Sequence, residues 1–138
     1  MNVNIKLLIS SLELKQGASV DELNSLETEF QIKFPDDFRE FLLESNGAEG
    51  FVGQSYLVIW SLDEMKEINK LSDISKYIPG LILIGSDGGD ESYALDTRQS
   101  NLAFVEFPSI GVTLENVQIC GFTFHEFLQH IFDQYSVT

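Results

Sequence analysis

The chain has 138 residues, 43% of them hydrophobic, which is enough for one domain that buries about two thirds of its unfolded surface. Its 22 acidic and 8 basic residues give a formal net charge of −14. Because nucleic-acid binding depends on cationic side chains, this charge argues against a nucleic-acid ligand. No run of about 18 apolar residues occurs, so neither a membrane span nor a secretory signal is predicted and a cytoplasmic location is expected.

Apolar residues at helical spacing predict two helices at the start of the chain. The first carries Ile5, Leu8, Ile9 and Leu12 and is expected to end near Gly17. The second begins at a capping box formed by Ser19 and Glu22. Its apolar side carries Val20, Leu23, Leu26 and Phe30.

A third helix is predicted from signals at both of its ends. Pro35 fits the first helical position, and Asp36 and Asp37 place negative charge at the positive end of the helix dipole. Asn46 and Gly47 supply the left-handed conformation that commonly ends a helix. The face predicted to be buried consists of Phe38, Phe41 and Leu42.

The middle of the chain is predicted to contain a loop, a strand and a helix. The loop is expected over 47–53, and the β-branched and aromatic residues of 56–60 predict the strand. Ser61 and Glu64 form a second capping box, which starts a short helix. That helix carries Met65, Ile68 and Leu71 on its apolar side.

The second half of the chain predicts β structure and a final helix. Short turns favour neighbouring antiparallel strands over 81–84, 92–95 and 102–107, and 112–120 is a candidate further strand. Thr123 and Glu126 form a third capping box. The apolar face of the last helix consists of Phe124, Phe127, Leu128, Ile131, Phe132 and Tyr135. This order predicts an α+β fold with a mainly antiparallel sheet packed against N-terminal and C-terminal helices.

Three motifs in this order resemble the SUKH superfamily, which is named partly for a fungal regulator of cell-wall assembly. The first is a hydrophobe-Pro-x-Asp-aromatic-Arg-x-Phe-Leu run from Phe34, where leucine is usual, followed by Asn46 and Gly47. The second covers 84–96 and the third 123–128. The resemblance extends over about residues 20–132 and implies a single SUKH-like domain over 1–138.

Bacterial members of this superfamily are mostly immunity proteins, so the resemblance implies a non-catalytic protein that neutralises a cognate toxin by covering its active site. The eukaryotic branch implies an alternative, a regulatory scaffold of the cell-wall-signalling type. A third hypothesis is an enzyme that uses one of the paired carboxylates, which requires a cleft with raised carboxylate pKa values.

The acidity of the chain has two interpretations: the charge keeps the protein soluble, or it complements a basic partner such as a nuclease domain. Residues 16–49 and 77–138 each carry about half of the net charge, so the charge is not confined to a tail. The predicted acidic contacts are Asp87, Asp90, Glu91, Asp96 and Glu49. Tyr56 and Trp60 share one strand face and are candidate anchors, although a strand that is apolar on both faces favours burial.

Other candidate chemistry is explained structurally. Gly-Gly-Asp-Glu at 88–91 superficially resembles the hairpin of cyclic-dinucleotide synthases, but Ser92 replaces the aromatic residue, and calcium-loop spacing is lacking. His125 and His130 lie about 140° apart around a helix and should not share a metal. Cys120, the one cysteine, excludes an internal disulfide and a cysteine-based zinc site, and is interpreted as a core residue. No catalytic residue, cofactor or metal is predicted.

Overall fold

Residues 1–134, the part of the chain that the computed structural model describes, form six α-helices and seven strands. The helices are α1 (Val3–Leu8), α2 (Val20–Phe30), α3 (Asp36–Glu44), α4 (Leu62–Leu71), α5 (Ile74–Tyr77) and α6 (Phe124–Asp133). The strands are β1 (Leu12–Leu14), β2 (Ala48–Val52), β3 (Ser55–Ile59), β4 (Leu81–Ser86), β5 (Glu91–Asp96), β6 (Ala103–Pro108) and β7 (Gln118–Gly121).

The strands form one antiparallel sheet whose spatial order equals the chain order, from β1 at one edge to β7 at the other. Short turns join β2 to β3 and β4 to β5, which is the hairpin arrangement expected for antiparallel neighbours. Helices α2 and α3 lie between β1 and β2 in the chain, α4 and α5 lie between β3 and β4, and α6 follows β7. The predicted α+β fold, with a mainly antiparallel sheet and packed helices, is confirmed.

The larger hydrophobic core fills the side of the sheet on which α1, α3 and α6 pack, here called the α6 face. Phe104 of β6 stacks on Phe127 of α6 with ring centroids 5.0 Å apart. Phe38 of α3 packs against Phe124 with ring centroids 5.1 Å apart. The predicted buried face of α3 is confirmed, since Phe38, Phe41 and Leu42 are all buried. A smaller core on the opposite face includes Leu83, Ala94, Val105 and Phe107.

The edge of β4 is covered by α4 rather than by a full-length strand. β3 pairs with β4 only at Val58 and Ile59, so the first half of β4 has no strand on that side. The side chain of Asn69 on α4 accepts from the Leu83 N–H at 2.8 Å and donates to its C=O at 2.9 Å. An amide side chain thereby replaces the missing strand and satisfies both backbone groups.

Two predictions near the start of the chain are wrong. Leu12 does not continue the first helix; it lies in β1 and pairs with Gly50, because α1 ends at Leu8 and the chain turns before Leu12. The segment 47–53 is not a loop, since 48–52 form β2. This segment has a weak strand propensity of its own, and hydrogen bonding to β1 and β3 on its two sides makes it a strand.

Several predicted helix ends differ in detail. Pro35, which was predicted at the first helical position of α3, is instead its N-cap. At the other end, α3 stops before an extended Ser45, two residues before Gly47 with its φ of 95°. The Thr123 hydroxyl caps α6 as predicted, but the Glu126 carboxylate accepts from the Phe122 N–H and therefore does not complete the box.

Three predicted apolar segments are also corrected. Leu71 is 77% exposed and Phe132 is 44% exposed, so neither belongs to the buried face predicted for its helix. Within the candidate strand 112–120, only residues from Gln118 onward belong to a strand, because a 3-10 turn over Leu114–Asn116 comes first. Tyr135 lies outside the described residues.

Candidate partner-binding surface

Three of the predicted acidic contacts lie in the turn between β4 and β5 or at the first residue of β5, and one of them holds the turn together. Oδ1 of Asp87 accepts the N–H groups of Gly89 at 2.8 Å and Glu91 at 3.1 Å. Gly88 has a φ of 81°, which favours glycine. Asp90 is exposed at the tip of the turn. Asp87 therefore shapes the turn, while the carboxylate of Asp90 is presented to solvent.

An open cleft of about 440 Å³ lies on the α6 face beside this turn, and three carboxylates are part of its lining. We call it the acidic cleft and define it by Asp87, Glu91 and Glu106, with Tyr93 behind them. β5 and β6 position these groups, because Tyr93 pairs directly with Glu106 and Glu91 lies two residues earlier on the same face. No lysine or arginine lines the cleft within residues 1–134.

Burial and the negative charge of the cleft change the pKa of Glu91. Burial raises the pKa of Glu91 above its ordinary value, and the neighbouring carboxylates of Glu106, Asp87 and Asp90 raise it further. Burial likewise raises the pKa of Tyr93, so this phenol stays protonated. Tyr93 is 1% exposed and lies at the wall of the cleft. The cleft thus concentrates negative potential, which an entering cation would relieve.

A cluster of three possible metal ligands adjoins the cleft. His130 Nε2 lies 3.0 Å from Glu106 Oε1, and the side-chain amide of Gln134 donates to the other Glu106 oxygen at 2.9 Å. The ligand atoms of Glu106, Cys120 and His130 all lie within 4.8 Å of one another. Burial raises the pKa of Cys120, which keeps its thiol protonated. Sequence reasoning missed this cluster, because its members come from three elements and have no motif spacing.

On the opposite face of the sheet, β2 and β3 present a second group of predicted residues, here called the Tyr56 patch and defined by Glu49, Phe51 and Tyr56. The Tyr56 hydroxyl donates to Glu49 Oε2 at 2.5 Å, and this hydrogen bond raises the pKa of Tyr56. Phe51 is 52% exposed and packs edge-on against Tyr56. Sequence reasoning missed Phe51 because its segment was predicted to be a loop.

The turn joins the cleft to the Tyr56 patch. A Cβ added at Gly88 would lie 3.0 Å from Cδ2 of Tyr56, which places the turn against this ring. Asp87, in the same turn, lines the acidic cleft. The structure therefore brings five predicted residues into one continuous region: Asp87, Asp90, Glu91, Glu49 and Tyr56.

Asp96 and Trp60 lie outside this region. Asp96 is at the other end of β5, where its carboxylate accepts from the Arg98 guanidinium at 2.9 and 2.6 Å. These hydrogen bonds lower the pKa of Asp96 and offset its charge. Trp60 is half-buried and packs against both hydrophobic cores. Both residues have a structural explanation, and a partner-binding role for either stays a prediction.

A comparison with known protein families identifies the chain. The model of the SMI1 / KNR4 family (SUKH-1) matches residues 17–130, from before α2 into α6. The chain belongs to this family. The match confirms the resemblance that the three sequence motifs indicated. It includes β2 to β7 and the four residues that define the acidic cleft.

The SUKH-1 chain is also similar to a curated bacterial protein. The uncharacterized protein YnaB of Bacillus subtilis (strain 168) is 35% identical to it over 91 residues, which are 66% of this chain. The aligned part spans 58% of the length of YnaB. None of the helices in residues 1–134 is long and apolar enough to cross a membrane.

Proposed function

We propose that this SUKH-1 protein is a non-catalytic immunity protein that acts in the cytoplasm by binding a cognate bacterial toxin, with a basic nuclease domain as the target. The observation that carries the proposal is the acidic cleft, where three carboxylates converge without a lysine or arginine in the lining. A nuclease that grips phosphates presents cationic side chains, which fit such a surface. Family membership supports a protein-interaction role.

The two sides of the region would contribute differently to binding. The acidic cleft and Asp90 supply long-range attraction, which raises the association rate toward about 10⁸ M⁻¹s⁻¹ at low salt. The Tyr56 patch supplies an exposed phenylalanine beside a tyrosine, and aromatic side chains are enriched among binding hot spots. Charge would therefore govern encounter, while the aromatic pair would govern the lifetime of the complex.

The proposal is tested by capture of partners from the native cell lysate at low and moderate salt, followed by a nuclease-inhibition assay on any basic protein recovered. The charge reversal Asp90→Lys with Glu91→Lys should weaken binding at least about tenfold and flatten its salt dependence. The matched control is Glu40→Lys with Glu67→Lys, which changes the same charge on exposed positions of α3 and α4. Equal effects of the two pairs would remove the turn from the interface.

Recovery of cell-wall or signalling proteins, with no toxin domain, would instead support the alternative of a regulatory scaffold. Stoichiometric loss of nuclease activity on adding the protein would support immunity. The scaffold alternative shares the family but does not require the acidic turn, so the charge-reversal variant also separates the two functions.

The raised pKa of Glu91 within a cleft meets one condition for the third hypothesis, an enzyme. Burial and three neighbouring carboxylates account for this shift without any catalytic role. Glu91→Gln separates the possibilities: it removes one charge and would abolish general acid or base catalysis, whereas inhibition of a toxin by the remaining surface would persist.

A further inference from the structure

Three side chains with oxygen, sulfur and nitrogen donors converge beside the acidic cleft from three different elements. Glu106 comes from β6, Cys120 from β7 and His130 from α6. Their ligand atoms lie within 4.8 Å of one another, and His130 Nε2 lies 3.0 Å from Glu106 Oε1. The pairing of β6 with β7 and the packing of α6 on β7 hold these positions together.

The donor set favours Zn²⁺ over the hard cations. Zinc binds cysteine sulfur, histidine nitrogen and carboxylate oxygen, while Mg²⁺ and Ca²⁺ prefer oxygen alone. Three protein ligands leave a fourth tetrahedral position for water or an external group. Gln134 donates to the second oxygen of Glu106 at 2.9 Å, which is the kind of supporting hydrogen bond that orients a metal-binding carboxylate.

The surroundings also favour a cation. Asp87 and Glu91 belong to the same cleft, so a divalent ion would enter a region of concentrated negative charge. Tetrahedral zinc ligands are about 3.5 Å from one another, so no pair of these ligand atoms needs to approach by more than about 1.3 Å. The side chain of His130 is 33% exposed and is therefore free to adjust by rotation.

We propose that Glu106, Cys120 and His130 form a binding site for one Zn²⁺ ion, with the fourth coordination position directed to the acidic cleft. On binding, a zinc–sulfur bond replaces the S–H bond of Cys120, and the thiol proton is released to solvent. The proposal is independent of the immunity function, because the isolated chain is expected to bind the ion without any partner.

The test is calorimetric titration of the chelator-treated full chain with Zn²⁺, together with Co²⁺ absorption spectroscopy. We expect one ion per chain, release of protons, and a sulfur-to-cobalt charge-transfer band. Cys120→Ser should abolish the band, and His130→Gln should reduce Zn²⁺ affinity by more than the 10–100-fold typical of outer-shell changes. Gln134→Ala should fall within that 10–100-fold range.

His125→Gln is the matched control, because His125 lies on the same helix outside the cluster and should leave the affinity unchanged. Circular dichroism of each metal-free variant shows whether it is folded, and Glu106→Gln provides a ligand change with little change in shape if Cys120→Ser fails to fold. Absence of saturable Zn²⁺ binding, or binding that survives the Cys120, His130 and Glu106 substitutions, would overturn the proposal.

Discussion

Asp37 links two helices that are far apart in the chain. Its carboxylate accepts the N–H groups of Phe124 at 2.9 Å and His125 at 3.0 Å, and so caps the first turn of α6 from α3. The neighbouring Asp36 is exposed and makes no such contact. We expect Asp37→Ala to lower the free energy of unfolding by about 1–2 kcal/mol, since a lost cap leaves N–H donors unpaired.

Asp36→Ala is the control for this prediction. It changes the same residue type on the same helix, and its effect should stay within about 0.5 kcal/mol because the side chain is on the surface. Urea denaturation of both variants measures the difference. Equal losses would show that both residues act only on the dipole of α3, which is the explanation that the sequence alone suggested.

Glu91 should make stability depend on pH. Because burial and its acidic neighbours raise its pKa in the folded state, the folded chain holds this proton more tightly than the unfolded chain. The free energy of unfolding should therefore fall as pH rises from the ordinary value of 4.5 through the folded pKa. Glu91→Gln removes this penalty and should be more stable at about pH 7, by less than about 1 kcal/mol.

The gain should diminish toward about pH 4, where the wild-type carboxyl is itself neutral. Glu67→Gln, the same substitution at an exposed position of α4, is the control for the change of residue type. Urea midpoints measured at both pH values test the sign. A gain from Glu91→Gln that increases at low pH would contradict the direction of the shift.

Residue types alone indicated the acidic turn, because aspartate and glycine together have a strong turn preference. They could not indicate that Glu106 and His130 approach the same cleft, since that depends on how α6 lies across β6. The structural role of Arg39 was not predictable either, because the sequence shows this residue only as part of the family motif. In the fold, its side chain pairs with the buried Glu27. The other carboxylate oxygen of Glu27 accepts from the Phe34 N–H at 2.7 Å.

At the scale of elements, the junction between β3 and β4 depends on one glycine. A Cβ at Gly85 would lie 2.1 Å from the Val58 carbonyl oxygen, in the short pairing that joins these strands. Gly85→Ala should destabilise the fold by about 1–3 kcal/mol, because either backbone must shift. Thermal and urea unfolding of the variant measure the loss.

Gly89→Ala is the control, because its added Cβ would meet only Asp87 Oδ1, at an ordinary 3.4 Å. A loss from Gly89→Ala as large as that from Gly85→Ala would show that the turn, and not the close approach of β3 to β4, limits stability.

Helix starts were predictable where the signal is local. Ser19 with Glu22 and Ser61 with Glu64 form complete capping boxes at the starts of α2 and α4. β2 was not predictable, because residues 48–52 include glutamate and glycine, and this strand is stabilised by pairing with β1 and β3 on its two sides. β1 was not predictable because it depends on pairing with β2. The Tyr56 patch was not predictable for the same reason, since the position of Phe51 beside Tyr56 depends on the formation of β2.

For the whole molecule, the order of helices and strands predicted the fold class, because each short connection between strands favours an antiparallel neighbour. The covering of the open edge of β4 by α4 was not predictable in the same way. It uses hydrogen bonds between Asn69 and Leu83, which are 14 residues apart and belong to no sequence motif.

The net charge of −14 should itself limit stability at low ionic strength. Raising NaCl from about 10 mM to about 150 mM shortens the screening length from about 30 Å to about 8 Å, so repulsion among dispersed carboxylates weakens. We expect the urea midpoint to rise over this range. In the triple variant Glu40→Gln, Glu44→Gln and Glu67→Gln, which changes exposed residues of α3 and α4, the rise should be smaller.

This triple variant also separates overall charge from the local acidic region. It retains Asp87, Asp90 and Glu91, so under the proposed function it should still inhibit the toxin, with a moderately slower association rate. Neutralising Asp90 and Glu91 instead should impair binding. If both variants impaired binding equally, the acidity would act through the total charge, and the cleft would have no special part in recognition.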